Sequence, residues 1–131
     1  MPIGKIMIID DEEDVRDAIK MQLEGKKYEI LEAEDGEVAI NTMKSGGHMH
    51  SVALILCDIR MPKVNGVECV DYLRAEAPGI PVVVITAFPD TELATNLMKK
   101  GIKDYLVKPV SKEKLVETAD KWLAAGRETS F

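Results

Sequence analysis

No stretch of this sequence is apolar for long enough to cross a bilayer. Its hydrophobic runs are strand-sized, far short of the ~20 residues that a spanning helix needs. A signal-peptide pattern is missing too: after Met1-Pro2-Ile3-Gly4-Lys5, the short run Ile6–Ile9 leads straight into acids. The two cysteines, Cys57 and Cys69, lie inside an expected strand and an expected helix. They form neither a disulfide framework nor a metal pair with ligand spacing. A reducing cytoplasm is therefore the expected location, with no membrane contact. The two histidines, His48 and His50, share one loop with no third ligand nearby in sequence, so that loop reads as solvent-facing rather than metal-binding. A basic surplus is also lacking. The net charge is −6, with 13 acids against 8 bases in residues 1–66 and 10 against 9 in residues 67–131. Such a chain is a poor direct partner for nucleic acid.

What is present is a regular alternation of apolar runs and amphipathic stretches. With 131 residues, 46% hydrophobic and 31% charged, the chain suits one globular domain, assigned to residues 1–125, with 126–131 a tail or the start of a linker. Strands are expected at 5–9, 28–33, 52–57, 81–85 and 104–107. The intervening helices turn inward Val15, Ala18, Ile19 and Leu23; then Val38, Ala39, Thr42 and Met43; then Val67, Val70 and Leu73; then Leu93, Ala94, Leu97 and Met98; and last Leu115, Ala119, Trp122 and Leu123. Gly25, Gly46-Gly47, Pro78-Gly79, Gly101 and Gly126 mark helix ends, and Asp90 and Ser111 mark helix starts. Five βα units in strict alternation imply an α/β fold, a doubly wound parallel sheet with helices on both faces.

The stretch from Val52 to Gly66 organises the rest. A run buried on both faces meets one carboxylate, Asp58, before Met61-Pro62 stops the strand and Gly66 opens the next helix. A carboxylate at the end of a buried strand is costly without a partner or a task. Asp10-Asp11 follow the first strand, Thr86 ends the fourth and Lys108 follows the fifth. In a parallel sheet these ends share one edge. Gathered carboxylates raise one another's pKa, and a hard divalent cation such as Mg2+ relieves them. A cation, an ammonium and a hydroxyl around one carboxylate suit a phosphoryl group, with the carboxylate as acceptor.

On these residues the chain resembles a response-regulator receiver domain of two-component signalling. The resemblance covers Lys5 to about Ala125. It is carried by Asp10-Asp11, Asp58 with Met61-Pro62 and Gly66, Thr86-Ala87, and Tyr105 ahead of Lys108-Pro109. It implies a flavodoxin-like sandwich with strand order 2-1-3-4-5, and Asp58 as phosphoacceptor. It also implies Mg2+ held by Asp11, Asp58 and the Arg60 backbone carbonyl, with Asp10 acting largely through water. Lys108 and Thr86 would hold phosphoryl oxygens, Thr86 and Tyr105 would form a coupled switch, and the Lys108–Pro109 bond would be cis. The implied donor is a histidine kinase or histidine phosphotransfer protein. The implied output is a downstream protein or effector domain on the face of the fourth helix, fifth strand and fifth helix. That face carries Lys99, Lys100, Lys103, Lys112 and Lys114 against Asp104 and Glu113, which favours an acidic protein surface. Arg60 and Phe88 flank the site and are candidates to shield an acyl phosphate from water.

The chain reads as a switch rather than an enzyme. Phosphatases resembling the haloacid dehalogenases carry Asp-x-Asp after the first strand and a substrate cap. Here the strand ends Asp-Asp and the chain leaves no room for a cap. A receiver cut from a larger regulator, with an effector after residue 126, fits the same residues.

Overall fold

The structure, a computed structural model, describes residues 4–24, 28–45, 51–58, 66–87 and 90–128, with the side chains of 66–67 and 124–128 left aside. Among the described residues the chain runs β1 (Gly4–Ile9), α1 (Glu13–Leu23), β2 (Tyr28–Ala33), α2 (Gly36–Ser45), β3 (Val52–Asp58), α3 (Gly66–Glu76), β4 (Val82–Thr86), α4 (Thr91–Lys99), β5 (Asp104–Val107) and α5 (Lys112–Glu128). The strands form one parallel sheet in the order β2-β1-β3-β4-β5, the expected doubly wound α/β order.

The two-residue period of the strands divides the core in two. Met7, Ile9, Ile55, Cys57, Val82 and Val84 face one layer with Ala39, Ile40 and Met43 of α2, Val70 and Leu73 of α3, and Leu97 of α4. Ile6, Ile8, Leu54, Leu56, Val83 and Ile85 face the other with Ile19 and Leu23 of α1 and Leu115, Ala119 and Leu123 of α5. The continuous apolar runs of β1, β3 and β4 are thus explained by burial on both faces. The helix starts are built from side chains. Asp35 Oδ1 accepts from Val38 N–H at 2.8 Å, Asp90 Oδ1 from Leu93 N–H at 2.9 Å, and Ser111 Oγ from Lys114 N–H at 3.0 Å. Gly101 follows α4 with φ +104°, the left-handed turn that glycine takes without a Cβ clash.

Four expectations are corrected. Ala18 and Met98 are exposed, Met98 at 49%, because each lies about 100° around its helix from the buried Ile19 and Leu97. Ile40, absent from the expected core, is fully buried on α2. Gly126 does not end the last helix: α5 continues to Glu128, since one helical glycine costs only about 1 kcal/mol. Gly25, Gly46-Gly47, the His48 and His50 loop, Met61-Pro62 and the Val67 side chain lie outside the described residues.

Candidate functional site

β2 lies on one side of β1, and β3, β4 and β5 lie on the other. The winding direction therefore reverses between β1 and β3, and the carboxyl ends there border the crevice where open α/β sheets bind ligands. Asp10 directly follows β1, and Asp58 is the last residue of β3. Asp10 is 1% exposed and Asp58 7%. Thr86, also buried, ends β4, and its carbonyl accepts from Lys108 N–H at 2.7 Å. This bond ties the end of β4 to the residue after β5. The Lys108–Pro109 peptide is cis, as the resemblance implied.

Lys108 reaches across the sheet edge and its Nζ forms an ion pair with Asp58 Oδ2. Asp10 Oδ1 accepts from Glu12 N–H at 2.7 Å. Asp10 Oδ2 and Asp58 Oδ1 are buried without a hydrogen-bond partner among the described residues. Burial pushes the Asp10 carboxyl up to about 7, helped by the neighbouring Asp58 carboxyl and opposed by Glu12 N–H and the Lys108 charge. Two buried carboxyls with orphaned oxygens form a hard-oxygen donor set that suits a small divalent cation. Asp11 is solvent-exposed, and no three His, Cys, Asp or Glu side chains gather as a metal site among the described residues. The structure thus brings together Asp10, Asp58 and Lys108, with Thr86 at the adjoining strand end, and leaves Asp11 at the rim. Arg60 and Phe88 lie outside the described residues.

Tyr105 is half-buried and packs against the core layer of α2, α3 and α4. Burial raises its phenol pKa, opposed by a hydrogen bond from the Asp90 backbone. The ring therefore links β5 to the cap of α4. Sequence reasoning passed over Arg16, whose Nη1 donates to the Asp10 carbonyl at 2.6 Å while its Nε donates to Glu32 at 3.1 Å. It braces the turn that carries Asp10. No local pattern signals this contact, because it joins α1 to the ends of two strands. On and around α4, β5 and α5, Lys99, Lys103, Lys112 and Lys114 are exposed, while Lys100 is engaged by Asp71 at 3.0 Å.

The geometry agrees with what the chain resembles. The sequence profile of the response regulator receiver domain matches residues 6–120. The transcriptional regulatory protein ZraR of Salmonella typhimurium is 33% identical over 124 residues, which cover 95% of this chain and 27% of that protein. The transcriptional regulatory protein ResD of Bacillus subtilis is 33% identical over 127 residues, 97% of this chain and 51% of that protein. A response regulator receiver domain protein from Clostridium thermocellum superposes with a TM-score of 0.84 at 26% identity, covering 96% of this chain and 98% of that one. The chain belongs to the response regulator receiver domain family of two-component systems. It spans about a quarter of ZraR and about half of ResD.

Proposed function

We propose that this chain is a phosphorylation-driven signalling switch, not a turnover enzyme, in which Asp58 accepts a phosphoryl group from a histidine kinase or histidine phosphotransfer protein. The observation that carries the reading is the buried Asp58, ion-paired to Lys108 and lying beside a second buried carboxyl with an orphaned oxygen, at the winding switch point. One carboxylate oxygen of Asp58 forms the new bond to phosphorus as the bond to the donor nitrogen breaks, and the imidazole leaves with the electron pair. The Lys108 ammonium exchanges part of its ion pair for the incoming oxygens and offsets their charge. The Thr86 hydroxyl donates to another oxygen. Asp10, Asp11, Asp58 and the Arg60 carbonyl are the groups that would hold Mg2+. Bound there, it would relieve the gathered carboxylates and neutralise phosphoryl oxygens.

Thr86 and Tyr105 form the switch, drawing the end of β4 inward and fixing the phenol. The readout surface is α4, β5 and α5, whose exposed lysines suit an acidic partner. The receiver extends through α5, which runs to Glu128. The fraction of ZraR and ResD that the chain spans favours a second arrangement, in which the same receiver regulates an effector after residue 126. The switch works in the cytoplasm; among the described residues no helix is long and apolar enough to cross a membrane.

The test is incubation with acetyl phosphate, with and without Mg2+, followed by intact-mass measurement. The native protein should gain one phosphoryl group only with Mg2+, and Asp58→Asn should gain none. Equal labelling of that variant would assign the acceptor elsewhere.

A further inference from the structure

The fold also brings together two cysteines that phosphoryl transfer does not use. Cys57 of β3 and Cys69 of α3 are free thiols with their sulfurs 3.7 Å apart. Cys57 is buried, and it is the residue immediately before Asp58. We propose that Cys57 and Cys69 form a reversible disulfide that slows phosphorylation of the adjacent Asp58. The regulatory part of this proposal rests on Asp58 being the acceptor.

The two thiols are placed for different tasks. Cys57 is held in the sheet interior, paired with Ile9 of β1 and Val84 of β4, so solvent does not reach it. Cys69 is half-buried on a helix and is the more exposed of the two residues. Gly36 at the start of α2 lies so close that a Cβ on it would meet Cys69 Sγ at 3.2 Å. The Cys69 thiol therefore sits in a slot between the first turn of α2 and β3. The hydrogen bond with Cys57 lowers the Cys69 pKa, burial and the Asp35 charge oppose this, and the Gly36 backbone N–H assists it. Cys69 is thus the attacking thiol and Cys57 the resolving one.

The oxidant is hydrogen peroxide. The Cys69 thiolate attacks one of its oxygens, the O–O bond breaks, and Cys69 becomes a sulfenic acid as the other oxygen leaves as water after taking a proton. The Cys57 sulfur then attacks the Cys69 sulfur. The S–O bond breaks, the hydroxyl leaves as water with the Cys57 proton, and the disulfide closes. Two thiols lose two electrons and two protons, and the peroxide takes them up. A dithiol reductant reverses the change by thiol–disulfide exchange.

Closing the bond brings the sulfurs from 3.7 Å to about 2.05 Å, which draws the end of β3 and α3 together. Asp58 lies one residue from that cross-link, whereas Asp10 and Lys108 follow other strands, β1 and β5. A shift of about 1 Å between an acceptor and the groups that align it costs about tenfold to a hundredfold in rate.

The full chain is reduced, treated with hydrogen peroxide and desalted. Its intact mass should fall by two hydrogens as a monomer, neither thiol should then alkylate in denaturant, where both thiols of the reduced protein do, and digestion should join the two cysteine peptides. Acetyl phosphate labelling with Mg2+ should be about tenfold or more slower in the oxidised form, and dithiothreitol should restore it. Cys69→Ser, or Cys69→Ala if the serine variant folds poorly, should label at the reduced rate with or without peroxide. Alkylation of both thiols after peroxide, or equal labelling of reduced and oxidised protein, would overturn the proposal. If the reduced protein takes no phosphoryl group, the acceptor assignment and the regulatory part fail together, and the loss of two hydrogens still decides the disulfide.

Discussion

The buried Asp10 carboxyl should be a liability to the metal-free protein, and Asp10→Asn should remove it. Its pKa rises from 3.8 to about 7, first through burial and then through the neighbouring Asp58. Between those values the folded chain keeps the proton and the unfolded chain releases it. The folded state therefore binds more protons, and its stability falls as pH rises from about 4 through about 7. Three units at about 1.4 kcal/mol each set a ceiling of about 4 kcal/mol on the loss at neutral pH. Asparagine keeps the oxygen that accepts from Glu12 N–H, carries no charge, and presents an amide donor toward the Asp58 carboxylate. A gain of about 2–4 kcal/mol at pH 8 is expected, or roughly 10 °C in melting temperature for a chain of this length. Thermal unfolding by circular dichroism in EDTA at about pH 5 and about pH 8 measures it. The native protein should lose stability between the two, and the variant should lose less. Excess Mg2+ should raise the native protein more than the variant. An Asp10→Asn protein no more stable than native at pH 8 in EDTA would show that the buried Asp10 charge does not destabilise the metal-free fold.

Asp11→Ala should remove most of the Mg2+-dependent rise in melting temperature while changing the metal-free value little, since Asp11 is exposed; a full metal response would put the ion elsewhere. Ile40→Ala, at a fully buried position, should cost about 3 kcal/mol by urea unfolding, whereas Met98→Ala should stay within about 0.5 kcal/mol. Beryllofluoride, a phosphoryl mimic, should shift amide resonances at 86–87, 90 and 99–114, including Tyr105; changes confined to the Asp10 and Asp58 ends would show that α4, β5 and α5 do not read the site.

The strands were legible because three of them are buried on both faces. A run such as Val82-Val83-Val84-Ile85 has few other places in a domain of this size. The convergence of Asp10, Asp58, Thr86 and Lys108 was legible for a topological reason: alternation forces a parallel sheet, and a parallel sheet puts its carboxyl ends together. Helix faces were less legible at their margins. Ala18 and Met98 continue an apolar stripe in sequence, yet the packing arcs end at Ile19 and Leu97. Ile40 is buried because α2 lies against both the sheet and α3, joined to it by Lys44 and Glu76 at 3.0 Å, so its covered arc is wider than a strict stripe. The Arg16 brace and the Cys57–Cys69 contact depend on how a helix is rotated against a strand, which no spacing in the chain encodes.

Borohydride reduction converts an aspartyl phosphate to homoserine, which tandem mass spectrometry locates. If Asp58 carries the phosphoryl group as an acyl phosphate, treatment with acetyl phosphate and Mg2+ gives homoserine at residue 58 and at no other aspartate, and hydroxylamine removes the phosphoryl group beforehand. Homoserine at another aspartate, or a phosphoryl group stable to hydroxylamine, would show that Asp58 is not the acceptor.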